Sequence, residues 1–167
     1  MARVFGLAFT RWDLVRISIS WHCVCMSIIG HGIDIVEVEH FRRLCKTPSG
    51  ARTLGRYFTP AELALVGSGP KRAERLAGRF AAKEAVLKAL GTGFTQGISF
   101  TDVDIGILPS GAPIVVLHAR AAEVAVERAI TTWLVTISHT TAFAAASAIA
   151  LTGADRDEGS RASLPTA

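Results

Sequence analysis

The stretch WLVTISHTTAFAAASAIAL, residues 133–151, decides the fold. Trp133 to Ile137 and Phe143 to Leu151 read as two apolar strands, with Ser138-His139-Thr140-Thr141 as the turn between them. Ahead of them an Ala-rich helical pattern covers residues 119–130, with Glu123 and Glu127 facing outward. Earlier still, residues 98–108 and Ile114 to Leu117 are strand-like, and Pro109-Ser110-Gly111-Ala112-Pro113 between them predicts a hairpin. The longest helical pattern spans residues 72–90 and is stopped by Gly91. Before it, Thr59-Pro60-Ala61-Glu62 opens a short helix to about Val66: Thr as N-cap, Pro in the first turn, Glu reaching back. An apolar strand from Ile28 to Val36 runs into a helical pattern over residues 37–46, with Phe41, Leu44 and Cys45 on its apolar side. The order β-α-α-α-β-β-α-β-β lacks the βα alternation of a doubly wound parallel sheet. It predicts an α+β fold with a mostly antiparallel sheet packed with helices. There is no internal repeat and no Gly-rich phosphate loop of the Walker or Rossmann type.

The chain has 167 residues and 17.7 kDa, one domain's worth. Half the residues are hydrophobic and 19% are charged, which excludes an intrinsically disordered chain. The 26 alanines suit close helix packing. A mean hydropathy of +0.37 raises the question of a membrane span. The longest stretch free of Asp, Glu, Lys and Arg ahead of the main body, residues 17–33, holds Ser18, Ser20, His22, Ser27, His31 and two glycines, too polar to cross a bilayer. The apolar content is therefore expected in a core or between subunits. Fourteen Arg and four Lys against 14 acids give a net charge of +4, scattered along the chain. That balance admits nucleic acid, an anionic protein or a phosphate-rich small molecule as partner. Cys23, Cys25 and Cys45 form no disulfide framework, and the first two, near His22, lack zinc-finger spacing; a reducing cytoplasm is the natural compartment. Residues 1–26 fit poorly with the pattern of the main body and read as an N-terminal extension or a mis-assigned start, with Met26 directly before the first strand; a real extra strand or partner-binding arm is the alternative. Residues 153–167 are polar and read as a flexible tail, leaving a working domain over residues 27–152.

Several charged residues stand where apolar ones are expected. At about 100° per residue, Leu76, Phe80, Leu87 and Leu90 form one stripe of the long helix, with Lys83 inside it and Glu84 and Lys88 at its edge. Glu84 and Lys88 are placed for an i,i+4 ion pair, and a surface pair with Lys83 snorkelling at the rim is the plain reading. Arg79 lies one turn before Lys83, which sets three cations beside one acid. Asp34 shares a strand face with Gly32 and Val36, opposite Ile33 and Ile35. A carboxylate there costs several kcal/mol unless it is paired, metal-bound or capping the following helix. Glu37, at the strand-to-helix junction, reads as a first-turn acid. His139 lies in a turn, with no Ser and acid placed for a triad and no Cys partner. Two carboxylates, several cations and one His suit a hard divalent cation holding a polyphosphate.

At this point the residues resemble a family. Gly32-Ile33-Asp34-Ile35-Val36-Glu37-Val38 is similar to the opening motif of the holo-acyl-carrier-protein synthases. Residues 76–93, LAGRFAAKEAVLKALGTG, resemble their signature helix and loop, and Ile137-Ser138-His139-Thr140 their closing motif. The likeness covers roughly residues 27–151.

The resemblance implies a 4′-phosphopantetheinyl transferase fold. The implied activity moves the phosphopantetheine arm of coenzyme A onto a serine of apo-acyl carrier protein, releasing adenosine 3′,5′-bisphosphate. It implies Mg²⁺ at the residues matching Asp34 and Glu84, with Asp34, Glu84 and Lys88 as the catalytic group. Arg79, Lys83, Lys88 and His139 match positions near the coenzyme A phosphates, with Lys88 on the pyrophosphate, and Gly91-Thr92-Gly93 lets backbone approach the nucleotide. Small members of the family resemble homotrimers with each active site at a subunit boundary. The partners implied are coenzyme A, an acidic acyl carrier protein and further copies of the chain, with neither nucleic acid nor membrane. Arg42 and Arg43 are candidates for docking the carrier; many relatives carry Arg six residues after the strand Asp, where this chain has His40. Two readings from other classes stand beside this one. A basic non-catalytic module for nucleic acid or an acidic protein explains the charge but not Asp34, Glu84 or His139. A Mg²⁺-dependent nucleotide hydrolase would need no protein acceptor.

Overall fold

A computed structural model of the chain describes residues 25–93 and 97–154. Most of the expected N-terminal extension, most of the expected tail, and Cys23 lie outside the described residues. Strand β1 (Cys25–Glu37) leads into α1 (Val38–Leu44), α2 (Pro48–Tyr57), α3 (Pro60–Val66) and the long α4 (Arg72–Leu90). A 3-10 turn (Phe100–Asp102) then precedes the hairpin β2 (Val103–Ile107) and β3 (Pro113–Leu117), followed by α5 (Ala119–Glu127), β4 (Thr132–His139) and β5 (Phe143–Ala154). The strands form a three-stranded sheet in the order β1-β5-β4 and a two-stranded sheet β2-β3, with antiparallel pairing throughout. The α+β class is as expected, with helices packed on antiparallel sheets.

The structure corrects four local readings. Helix α2 has no counterpart in the sequence reading, although Thr47-Pro48 begins it with the same grammar as Thr59-Pro60: Thr47 Oγ1 accepts from Gly50 N and Pro48 takes the first turn. Gly50 and Gly55 mask it, because glycine lowers helix propensity. Residues 98–108 are not one strand, since the 3-10 turn precedes Val103. Ser138 and His139 belong to β4 rather than to the turn, so that His139 lies opposite Ala144 of β5. Cys45 is the C-cap of α1, exposed and free, not part of its apolar side.

Small residues place α4 on the large sheet. Ala144, Ala146, Ala148 and Ala150 of β5 alternate along its inner face, all buried. On β1 the inner face carries Gly30 and Gly32: a Cβ at Gly32 would lie 2.0 Å from the Ala85 carbonyl oxygen, and one at Gly30 2.0 Å from that of Ala89. Glycine facing alanine thus lets strand and helix backbones touch. Leu76, Leu87 and Leu90 of α4 are fully buried, each contributing about 2 kcal/mol of transfer free energy. A second cluster joins Val38, Phe41, Leu54, Phe58 and Leu76 under α1 and α2. Among the described residues no helix is long and apolar enough to cross a membrane.

Candidate active site

The Gly30-x-Gly32-x-Asp34 alternation puts Asp34 next along the glycine face, where β1 meets α4. From α4, Lys88 reaches it: Nζ donates to Asp34 Oδ1 at 2.8 Å and to the Ile33 carbonyl at 3.0 Å. The Asp34 side chain is 16% exposed and that of Lys88 49%, so the pair lies at the margin of solvent. Glu84, one turn before Lys88, is half-buried on the same flank. Burial pushes its carboxyl above the usual carboxylate range, the negative charge of Asp34 adds to this, and Lys88 opposes it. The expected union of Asp34, Glu84 and Lys88 is therefore present. Asp34 does not cap the following helix; it pairs across to α4. Gly91, in the left-handed region at φ 67°, ends α4, and Gly93 also has positive φ at 55°. Thr92 between them is buried.

Arg79 and His139 come together elsewhere. Arg79 and Lys88 are nine residues apart, about 900° around the helix, so they leave α4 in opposite directions. Arg79, 5% exposed, lines a cavity of about 210 Å³ with Glu74, Arg75, Gly78, Ile137 and His139. Its Nε is buried without a hydrogen-bond partner, and Nη1 donates to the Arg75 carbonyl at 3.5 Å. Burial opposes the Arg79 charge, which the nearby Glu62 carboxylate supports. Gly78 makes room for this wall, since a Cβ there would stand 2.8 Å from Ile137 Cγ2. His139 is exposed at the end of β4, on the far edge of the sheet from Asp34.

Lys83 corrects the expectation of a single cationic ridge. It neither snorkels at a rim nor faces Glu84: it is wholly buried, with no surface from which to reach a phosphate. Nζ forms an ion pair with Glu62 Oε2 at 2.6 Å, donates to the Phe100 carbonyl at 2.9 Å and sits 5.4 Å from the centre of the Phe58 ring. Burial pushes Lys83 down and Glu62 up, each opposed by the charge of the other. Glu62 is the residue that sequence reasoning misses, because its capping-box role accounts for it locally. The available signal is Lys83 itself: an ammonium inside an apolar stripe needs a buried carboxylate.

On α1, Arg42 is committed within the protein, donating to the Thr141 carbonyl at 2.8 Å and lying 3.4 Å and 3.5 Å from Glu39 and Glu74. Arg43 and His40 are exposed. Of the two docking candidates, Arg43 is the more exposed. Glu37 ends β1 as the N-cap residue of α1, without a side-chain cap.

Compared with models of protein families, residues 30–146 match the 4′-phosphopantetheinyl transferase superfamily. The chain belongs to that family. It is an enzyme, a transferase akin to the holo-[acyl-carrier-protein] synthases. That of Koribacter versatilis is 43% identical over 122 residues, which are 73% of this chain and 97% of the relative. Among solved structures, the acyl carrier protein synthase of Plasmodium yoelii with ADP bound superposes with a TM-score of 0.69 at 30% identity, covering 78% of the transferase and 99% of the other chain. The holo-[acyl-carrier-protein] synthase of Helicobacter pylori in complex with coenzyme A does so with a TM-score of 0.63 at 32% identity, covering 72% and 98%.

Proposed function

We propose that this transferase moves 4′-phosphopantetheine from coenzyme A to a serine of apo-acyl carrier protein, in a Mg²⁺-dependent reaction that releases adenosine 3′,5′-bisphosphate. Such a reaction supplies holo-carrier to acyl-chain synthesis, as in fatty-acid and lipid biosynthesis, and belongs in the cytoplasm. The observation that carries the reading is the meeting of Asp34, Glu84 and Lys88 where β1 crosses α4.

The donor set fits a small hard cation. Two carboxylates from adjacent elements leave each other partly uncompensated, and among the described residues no group of three or more His, Cys, Asp and Glu completes a cage. Mg²⁺ is commonly held by one or two carboxylates, with substrate phosphates and water making up its shell. When bound, it neutralises the diphosphate and stabilises the leaving phosphate. Asp34 and Glu84 would hold it. Lys88, already at the carboxylates, is placed to share the diphosphate charge. The carboxylates of Asp34 and Glu84 stand as the candidate bases for the serine proton. Arg79 and His139 supply cationic and hydrogen-bonding groups for another phosphate of coenzyme A. Exposed Arg43, with His40 beside it on α1, offers the acidic carrier a docking point.

The reading includes a homotrimer with each active site at a subunit boundary. Two features support it. The phosphate-binding candidates fall on opposite flanks of α4, so one copy alone does not bring them together. The outer face of the large sheet also leaves large apolar side chains uncovered among polar ones, with Ile33 61%, Ile35 65% and Leu134 54% exposed. Apolar area of that kind on a small domain marks an interaction surface.

The test is direct. Incubated with coenzyme A, Mg²⁺ and an apo-carrier protein, the chain is expected to add one phosphopantetheine to the carrier, seen by mass spectrometry. Release of nucleotide product without an adduct would identify a hydrolase instead.

A further inference from the structure

The Glu62–Lys83 pair is wholly buried, yet it belongs to no surface that a substrate touches. A buried ion pair is weak evidence for stability, because desolvating two charges offsets most of their attraction. Its value lies in specifying one arrangement, and here five segments meet at it. Lys83 comes from the middle of α4 and Glu62 from α3. The Glu62 carboxylate also accepts from Ile105 N of β2 and from Thr59 N, both at 3.0 Å. The Lys83 ammonium reaches the Phe100 carbonyl in the 3-10 turn and lies over Phe58, which caps α2. All of this fixes the rotation of α4 one residue before Glu84.

We propose that Glu62 and Lys83 are positioning residues: their buried pair sets the rotation of α4 that presents Glu84 and Lys88 to Asp34. A helical carboxylate stands about 6 Å from the helix axis, so a rotation of about 10° carries it about 1 Å. A misplacement of about 1 Å at reacting groups can cost about a hundredfold in rate. The sheet-facing side of α4 is made of small residues and leucines pack its other sides; the buried pair adds to this packing a directional polar contact at one residue. Glu62 thereby acts through α4 and not by contact with substrate.

The inference rests on the transferase reading, and the double variant Glu62→Gln/Lys83→Met tests it. The introduced glutamine keeps one oxygen, enough for one of the two backbone donors that Glu62 holds through Oε1 and Oε2, and the introduced methionine leaves no unpaired charge. The expected result is a folded protein that melts below the wild type, since one buried backbone donor loses its acceptor. Its affinity for Mn²⁺, read by electron paramagnetic resonance as a stand-in for Mg²⁺, is weakened about tenfold or more, as loss of a supporting shell does. Its kcat falls by a similar factor while KM for the apo-carrier stays unchanged. Wild-type Mn²⁺ affinity and kcat in the double variant would reduce the pair to packing and overturn the inference. If that variant does not fold, Glu62→Asp, which keeps both charges at a shorter reach, is read in the same two assays against the same outcomes. A wild-type chain that makes no adduct overturns the transferase reading, and Mn²⁺ affinity then judges the pair by itself. A wild-type chain that binds no Mn²⁺ overturns the inference outright.

Discussion

The two flanks of α4 carry opposite electrostatics. On the β1 side, Asp34 and Glu84 crowd two negative charges against one lysine at the margin of solvent. On the β4 side, buried Arg79, with an unpartnered Nε, lines a cavity with His139, Arg75 and Glu74, whose Oε2 is also unpartnered. The first flank, with two carboxylates to one lysine, attracts a cation; the second sets two arginines and His139 beside one carboxylate, a balance that favours an anion, and the helix separates them. Neither is arranged for stability: like charges are left close on one flank and a buried donor is left open on the other. The interior pair between them, Glu62 with Lys83, is the reverse, satisfied on every side and closed to ligand. The contrast separates charges that wait for a partner from charges that hold the frame.

The strongest break of the first flank is Glu84→Gln. It should abolish Mg²⁺-dependent transfer, a loss of about a thousandfold, while the fold survives because the side chain is only half-buried. Circular dichroism with a transfer assay checks both halves, and near-normal turnover would remove Glu84 from the site. Arg79→Gln breaks the second flank. The expected effect is a KM for coenzyme A raised about tenfold with a smaller change in kcat, the pattern of lost ground-state binding. An effect confined to kcat would move Arg79 out of the binding role.

A pH titration sharpens the comparison further. The folded pKa of Glu84 is raised from 4.5, with burial and the charge of Asp34 as causes. The folded state then holds this proton more tightly than the unfolded chain does. Below 4.5 the carboxyl is protonated in both states and carries no penalty. As pH rises through the raised value, the unfolded chain ionises first and stability falls. Glu84→Gln should therefore melt above the wild type at neutral pH, the gap closing on acidification towards the ordinary value. A gap that widened in acid would contradict the assigned direction. The smallest effect expected is on the carrier: His40→Arg should lower KM for apo-carrier protein a few-fold at low salt, as one added rim charge does. An unchanged KM removes position 40 from docking.

Which parts of this molecule are legible in the sequence depends on which forces are local. Helix starts at Thr59-Pro60 and stops at Gly91 are local, and both stand as read. So does the face of β1 that carries Asp34, because strand alternation is a rule of period two; both hairpins exist, but with strand bounds other than those read, at Val103 and at His139. The same local grammar at Thr47-Pro48 escapes notice where glycines dilute the pattern. The site is legible only in part. Asp34, Glu84 and Lys88 do meet, but one-dimensional spacing makes Arg79, Lys83 and Lys88 look like a single ridge. Helical geometry sends Arg79 and Lys88 about half a turn apart. Tertiary packing then buries Lys83 against Glu62, a residue 21 positions earlier whose partner nothing local could name.

The central claim is that the two flanks work together only across a subunit boundary, and mixing two impaired chains, assayed at coenzyme A well below the wild-type KM, tests it most directly. One chain carries Glu84→Gln and keeps Arg79 and His139; the other carries Arg79→Gln with His139→Ala and keeps Asp34, Glu84 and Lys88. Equal mixing and reassembly should restore roughly a quarter of wild-type sites, each built from the intact halves of two neighbours, as a heterologous ring dictates. Mixed oligomers that form, as seen by native mass spectrometry, yet transfer no more phosphopantetheine than either parent would contradict the account.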